Sequence, residues 1–176
     1  MKDRYIVDTN VLIAASAADP HHPADIDAIP TDPGLRRSVW EWLTKFESSN
    51  CRLVLDSEQK IFEEYNNKLS YQDYGIQVIM KKFSQCAFDI VDVAYDQDGH
   101  GVLPEPLALV IHDLADRKMV ATALAALTDF GNACIAFAGD TDWHDWEQEL
   151  DTYQIMLEPI IEDWSRAKHA EKLARR

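Results

Sequence analysis

Short apolar runs separated by stretches of helical period limit most sharply what this chain can fold into. Tyr5-Ile-Val7, Leu53-Val-Leu55 and Cys134-Ile-Ala-Phe-Ala138 are brief and apolar at every position. A strand without a polar side has no face to offer water, so it belongs inside a sheet covered on both faces, the usual setting of parallel strands. Between these runs the apolar residues recur three or four positions apart, as helices require. Leu35, Val39, Leu43 and Phe46 form one such stripe; Ile61, Phe62, Tyr65 and Leu69 a second; Val120, Ala123, Leu124, Leu127 and Phe130 a third. The alternation predicts an α/β protein, a three-layer α/β/α sandwich with a mostly parallel central sheet.

The 176 residues suit a single domain spanning 1–176. Strands are expected at Arg4–Asp8, Arg52–Leu55, Phe88–Val93 and Cys134–Ala138, with an edge strand at Ile155–Leu157. Helices are expected from Val11, from Leu35 to Phe46, after a cap at Asp56 or Ser57, and from Tyr74 to Phe83. Asp113 is expected to open the longest helix, which closes at Gly131-Asn132. A short helix from Trp143 carries Trp146 and Leu150 as a packing stripe, and a C-terminal helix with a basic tail falls within 159–176. Two segments punctuated by Pro, Asp and Gly, 18–34 and 96–106, read as long loops.

The formal net charge is −14, and most of the positive charge near the C-terminus sits in Arg166, Lys168, Lys172, Arg175 and Arg176. An acidic body repels phosphate, which argues against a protein that coats nucleic acid by releasing counterions. Nucleic acid then requires local positive charge, from bound metal ions, from Arg117 with Lys118, or from the tail. Cys51, Cys86 and Cys134 form no CxxC pair or Cys/His cluster, so reduced, largely packing thiols are expected rather than a disulfide framework or zinc site. The start, MKDRYIVD, reaches an acid before a signal-type apolar region develops, and no run approaches the ~18 residues of a membrane span. A cytoplasmic chain with no membrane partner is the expectation.

Acids fall where the strands end. Asp8 closes the first strand, Asp140 and Asp142 follow the Cys134–Ala138 strand, Asp116 lies in the first turn of the long helix, and Glu64 flanks the stripe of the helix after strand two. In open parallel sheets ligands bind beyond the carboxyl ends of the strands. Carboxylates gathered on one rim repel, and a divalent cation removes the conflict. Oxygen donors without Cys or His suit Mg²⁺ or Mn²⁺, as one or two ions. Structural uses compete at each position. Asp8 suits an N-cap for the helix near Val11, Asp113 suits the cap of its own helix with a place in the outer shell of the site, and Asp140 or Asp142 suits the cap before Trp143. Glu64, nearer the apolar stripe, is preferred over Glu63. His21-His22 and Asp96-Gln-Asp98-Gly-His100 read as solvated loops, the latter lacking the remaining ligands of a calcium loop.

Four pieces in order, Ile6-Val-Asp8-Thr9-Asn10, Glu63-Glu64-Tyr65, Asp113-x-x-Asp116-Arg117-Lys118 and Ala138-Gly139-Asp140-Thr141-Asp142, resemble the PIN-domain nucleases, including the VapC-type toxins and related toxin-like PIN proteins. The resemblance covers roughly Arg4 to Trp143. It implies an endoribonuclease that cleaves RNA with Mg²⁺ or Mn²⁺ and leaves a 5′-phosphate. By position it implies catalytic, metal-binding roles for Asp8, Glu64, Asp116 and Asp140, with Asp142 as a further metal carboxylate and Thr9 and Asn10 steadying the first acid. Arg117 and Lys118 are candidates for substrate phosphate. An antitoxin partner and a homodimer are further implications of the toxin members, although the long loops and tail depart from the small ones.

Three rivals share the same residues. A non-catalytic PIN-like module would use the acidic rim to bind a basic protein, and a structure-specific DNA nuclease of related fold would use it on flap DNA. A receiver-type phosphoacceptor also places acids at strand ends, but the late lysine on its expected strand is missing, which ranks it last.

Overall fold

The computed structural model describes residues 1–19, 22 and 26–175. Five strands, β1 (Arg4–Val7), β2 (Arg52–Asp56), β3 (Phe88–Val91), β4 (Cys134–Phe137) and β5 (Met156–Pro159), form one sheet in the order β3-β2-β1-β4-β5. Every pairing is parallel. The reason is visible in the side chains: β4 is buried at every position and β1 and β2 at all but the first, so neither face is left for water.

Helices α1 (Thr9–Ser16) and α2 (Pro33–Ser48) link β1 to β2, and α3 (Lys60–Lys68) and α4 (Tyr74–Ser84) link β2 to β3. The chain then returns across the sheet through α5 (Glu105–Val110) and α6 (Arg117–Phe130) to β4, passes α7 (Trp143–Thr152) to β5, and ends in α8 (Glu162–Leu173). Right-handed crossovers require the helices of the outward and return journeys to lie on opposite faces. The packing agrees: α1 touches α2, α3 and α4, whereas α6 lies against β1 to β4 and α5 touches α7. This is the expected three-layer α/β/α sandwich. The direction of travel reverses between β1 and β4, so the crevice at their carboxyl ends is the switch point of the sheet.

Local chemistry sets the helix ends. The Asp32 carboxylate accepts the Leu35 amide at 2.9 Å with Pro33 at the first helical position, so α2 begins two residues before the expected Leu35 and, at 16 residues, is the longest helix. Asp56, wholly buried at the end of β2, accepts the amides of Lys60 at 2.8 Å and Ile61 at 2.9 Å and thereby opens α3. At Gly75 a Cβ would stand 2.6 Å from the Leu12 carbonyl oxygen, so only glycine lets α4 approach α1 this closely.

The structure corrects several expectations. Asp113 does not open a helix: its carboxylate closes a turn by accepting the Ala115 amide at 2.8 Å, and α6 starts at Arg117, four residues later. The segment expected as loop to residue 106 turns helical at Glu105, since Pro106 at the start of α5 needs no amide partner. Cys86 is exposed rather than packed, whereas Cys134 is buried. Among the described residues no helix is long and apolar enough to cross a membrane.

Candidate metal centre

Three of the predicted acids converge at the switch point. Oxygens of Asp8, Asp116 and Asp140 all lie within 4.8 Å of one another. Asp8 follows β1 directly, Asp140 stands three residues past β4, and Asp116 immediately precedes α6, so three distant segments are brought together by the β1–β4 pairing and by α6 crossing the sheet.

Asp8 is 2% exposed and gripped at both oxygens. Oδ1 accepts the Asn10 amide at 2.6 Å, which also caps α1, and Oδ2 accepts the indole N–H of buried Trp143 at 2.7 Å. The capping and site readings of Asp8 are therefore compatible, since Oδ1 caps α1 while Oδ2 meets Trp143. Burial, the charge of Asp140 and the nearby Glu64 push its pKa up to about 7 against the pull of the two donors. Asp116 is pushed further, to about 9, by burial and by Asp8, Asp140 and Asp113, with Lys118 opposing. Asp140 is raised too, chiefly by burial, while its Oδ1 accepts the Asp142 amide at 2.8 Å. Oδ2 of Asp116 is buried and has no hydrogen-bond partner. An orphaned oxygen on a buried carboxylate grouped with two further carboxylates is expensive unless something positive joins them.

That cost is the test of fit for a divalent cation. Three carboxylates within mutual reach, all oxygen donors, one carrying an unused buried lone pair, match a hard cation such as Mg²⁺ or Mn²⁺. Asp8, Asp116 and Asp140 are the residues that would hold it.

The other candidates stand farther out. Glu64 lies beside the triad but is engaged elsewhere: it accepts from the Thr9 hydroxyl and pairs with Lys118 at 2.5 Å. Thr9 thus steadies Glu64 rather than Asp8, and Asn10 steadies Asp8 through its backbone. Glu63 points to solvent and pairs with Lys60 at 3.6 Å, which separates the two neighbouring glutamates. Asp142 is not in the group of three, although its charge reaches Asp140, and it accepts from Lys172 of α8. Asp113 is exposed, close enough to raise Asp116 and Asp140 but outside the group.

Arg117 is a correction. Its guanidinium, expected to meet substrate phosphate, folds back to donate to the carbonyls of Ala108 at 2.7 Å and Ile111 at 3.2 Å, satisfying the end of α5. Lys118 joins α6 to α3 through Glu64 and also donates to the Ala115 carbonyl at 2.6 Å. Trp143 and Lys172 are the participants that sequence reasoning missed, and Lys118, expected at substrate phosphate, is instead paired with Glu64. Trp143 was readable only as packing, and its indole reaches Asp8 through a contact 135 residues apart in sequence.

A second group, Asp96, Asp98 and His100, also has ligand atoms within 4.8 Å. It is local and exposed: Asp96 accepts the amides of Asp98 and His100 at 2.9 Å around Gly99, whose φ is +84°, and this turn explains the grouping as the solvated loop expected. His22 pairs with Asp73 at 2.7 Å, and its neighbour His21 lies outside the described residues.

Comparison with family models, with curated proteins and with solved structures returns no match.

Proposed function

We propose that this chain is a metal-dependent endoribonuclease of the PIN-domain type, hydrolysing RNA phosphodiester bonds with Mg²⁺ or Mn²⁺ held by Asp8, Asp116 and Asp140. The observation that carries the reading is the convergence of those three carboxylates at the switch point of a parallel sheet, one of them, Asp116, with a buried oxygen that has no hydrogen-bond partner. The order of the four motif pieces supports the family side of the proposal.

When bound, a divalent ion supplies a water of lowered pKa and neutralises charge on the scissile phosphate and leaving oxygen. The side chains prepare for this. Asp8 is fixed in one orientation by Trp143 and the Asn10 amide, so its geometry does not have to be bought from disorder at the moment of binding. Burial and the neighbouring carboxylates push the Asp116 carboxyl up to about 9 and so favour its protonated form, whereas a bound divalent cation would favour the carboxylate. Glu64, tethered by Thr9 and Lys118, borders the triad as an outer carboxylate. An acidic protein and an anionic substrate are reconciled because positive charge is concentrated where the cut occurs.

The test is cleavage of single-stranded RNA in Mn²⁺, with flap DNA in parallel. Asp8→Asn and Asp116→Asn are each expected to lose at least about 100-fold in rate, the scale on which removing an electrostatic stabiliser acts. Products should carry 5′-phosphates. Wild-type rates in both variants would refute the assignment, and a preference for flap DNA would replace the RNA reading with that of a DNA nuclease.

A further inference from the structure

A concavity of about 330 Å³ opens beside the triad, lined by Asn10, Ile29, Asp140, Thr141, Asp142 and Lys172. We propose that Lys172, on the last turn of α8, grips a phosphate of single-stranded RNA in this concavity, and that Asp142 holds the ammonium there until the RNA arrives. The inference rests on the nuclease reading and adds to it a residue that positions substrate.

Four observations lead to Lys172. First, Arg117 and Lys118, the two cations that follow Asp116, are committed. Arg117 ends on backbone carbonyls, and the Lys118 side chain is only 12% exposed, between Glu64 and the Ala115 carbonyl. Lys172 keeps 39% of its side chain open. Second, α8 is aimed at the rim by contacts along its length. Arg166 pairs with Glu147 at 3.0 Å, Ser165 meets His144 at 2.9 Å, and His169 meets Asp145 at 2.7 Å. Those contacts hold α8 against α7, and at its final turn Lys172 lines the concavity and reaches Asp142.

Third, Lys172 shares the concavity with Asp140, a member of the triad, so an RNA phosphate bound by Lys172 lies next to the position where the scissile phosphate would meet the metal centre. Its charge is felt at Asp140, where it opposes the upward push on the pKa. Fourth, the walls suit a nucleotide. Asn10 and Thr141 offer neutral polar groups, and Ile29, 60% exposed, offers an apolar surface. The loop carrying Ile29 is admitted by Gly139, where a Cβ would come within 2.5 Å of the Ile29 carbonyl oxygen.

Exchange of partner is feasible because the Lys172–Asp142 pair is partly exposed, 39% and 35%, and such pairs are weak and screened by salt. A phosphate offers the ammonium several acceptor oxygens in place of one carboxylate. Freed Asp142 then faces solvent rather than a buried void.

The experiment compares Lys172→Ala, Lys172→Arg, Asp142→Asn and, as a control, Lys168→Ala, which removes a charge one turn away on the same helix where it pairs with Glu171. Two readouts are taken: steady-state cleavage in Mn²⁺, and equilibrium binding of a fluorescent single-stranded RNA with Ca²⁺ replacing Mn²⁺. Lys172→Ala should weaken RNA binding and raise KM by about 10-fold, leave kcat within about threefold, and lower the salt slope of binding by about 0.7, the value for one lost phosphate contact on a single strand. Lys172→Arg should restore binding, Asp142→Asn should tighten it, and Lys168→Ala should match wild type. If wild-type protein binds and cuts RNA while Lys172→Ala and Lys168→Ala behave alike, the assignment to Lys172 falls and the nuclease reading stands. A loss in kcat with unchanged KM, accompanied by a lower melting temperature, also overturns it. If wild-type protein neither binds nor cuts RNA, the nuclease reading falls and takes this inference with it.

Discussion

The two ends of the same sheet treat their carboxylates in opposite ways. At the amino ends of β1, β2 and β3, Asp89 accepts from Arg4 at 2.9 Å and from Arg52 at 2.8 Å, and these guanidiniums hold its pKa below the ordinary carboxylate range against its partial burial. At the carboxyl ends, Asp8, Asp116 and Asp140 crowd together, and their pKa values rise. One end is complete within the chain. The other is arranged around a positive charge that must come from outside, which is how a binding site differs from a structural ion pair.

The comparison can be broken most directly with metal and pH. An aspartate whose folded pKa is raised keeps its proton in the folded state after the unfolded chain has lost it, so the folded state binds more protons between the two values. Stability of the metal-free protein should therefore decline as pH rises from about 4 through the folded values of about 7 for Asp8 and about 9 for Asp116. Mn²⁺ should reverse the trend, raising the melting temperature by roughly 5–10 °C at pH 8 and saturating metal, and by far less at pH 5, where protons compete for the same oxygens. Differential scanning fluorimetry across that range checks both signs.

The amino end should respond in the opposite sense. Its contribution is present above the unfolded aspartate pKa and is lost as pH falls through the lowered folded value of Asp89. Asp89→Asn should destabilise the protein at pH 7 by about 1–3 kcal/mol, measured by urea unfolding, because it leaves two partly buried guanidiniums without their carboxylate. Metal should not repair it.

A smaller effect sharpens the contrast further. Asp116→Asn should raise the melting temperature of the metal-free protein at pH 8 by about 2–4 °C, since asparagine is neutral in both states and removes the cost of holding a proton on a carboxyl that the unfolded chain would ionise, while abolishing metal-dependent cleavage. A substitution that stabilises the fold and removes activity separates function from structure. A fall in melting temperature comparable to that of Asp89→Asn would place Asp116 among the structural acids instead.

Much of this could be read before any coordinates. β1, β2 and β4 were legible because burial on both faces leaves uninterrupted apolar runs, and acids following β1 and β4 then had to share one edge. The start of α6 was misread because Asp113 has the chemistry of a helix cap and uses it, but on a turn at Ala115. Pro104 and Pro106 punctuate the sequence like a loop, although proline at the first turn suits a helix as well. The partners of the acids were illegible for a different reason. Trp143 on Asp8, Lys118 on Glu64 and Lys172 on Asp142 depend on how distant helices cross, and no local pattern encodes that crossing. The number of acids was readable, but not which of them would be neutralised from within the chain and which would be left to converge.

The central claim is that Asp8, Asp116 and Asp140 form one cation site, and isothermal titration with Mn²⁺ tests it most directly. Wild-type protein should bind with a dissociation constant on the order of millimolar or tighter and release protons as it does so, and Asp116→Asn and Asp140→Asn should each remove that heat while remaining folded. Absence of binding by the wild-type protein at millimolar Mn²⁺, or undiminished binding by both variants, would contradict it.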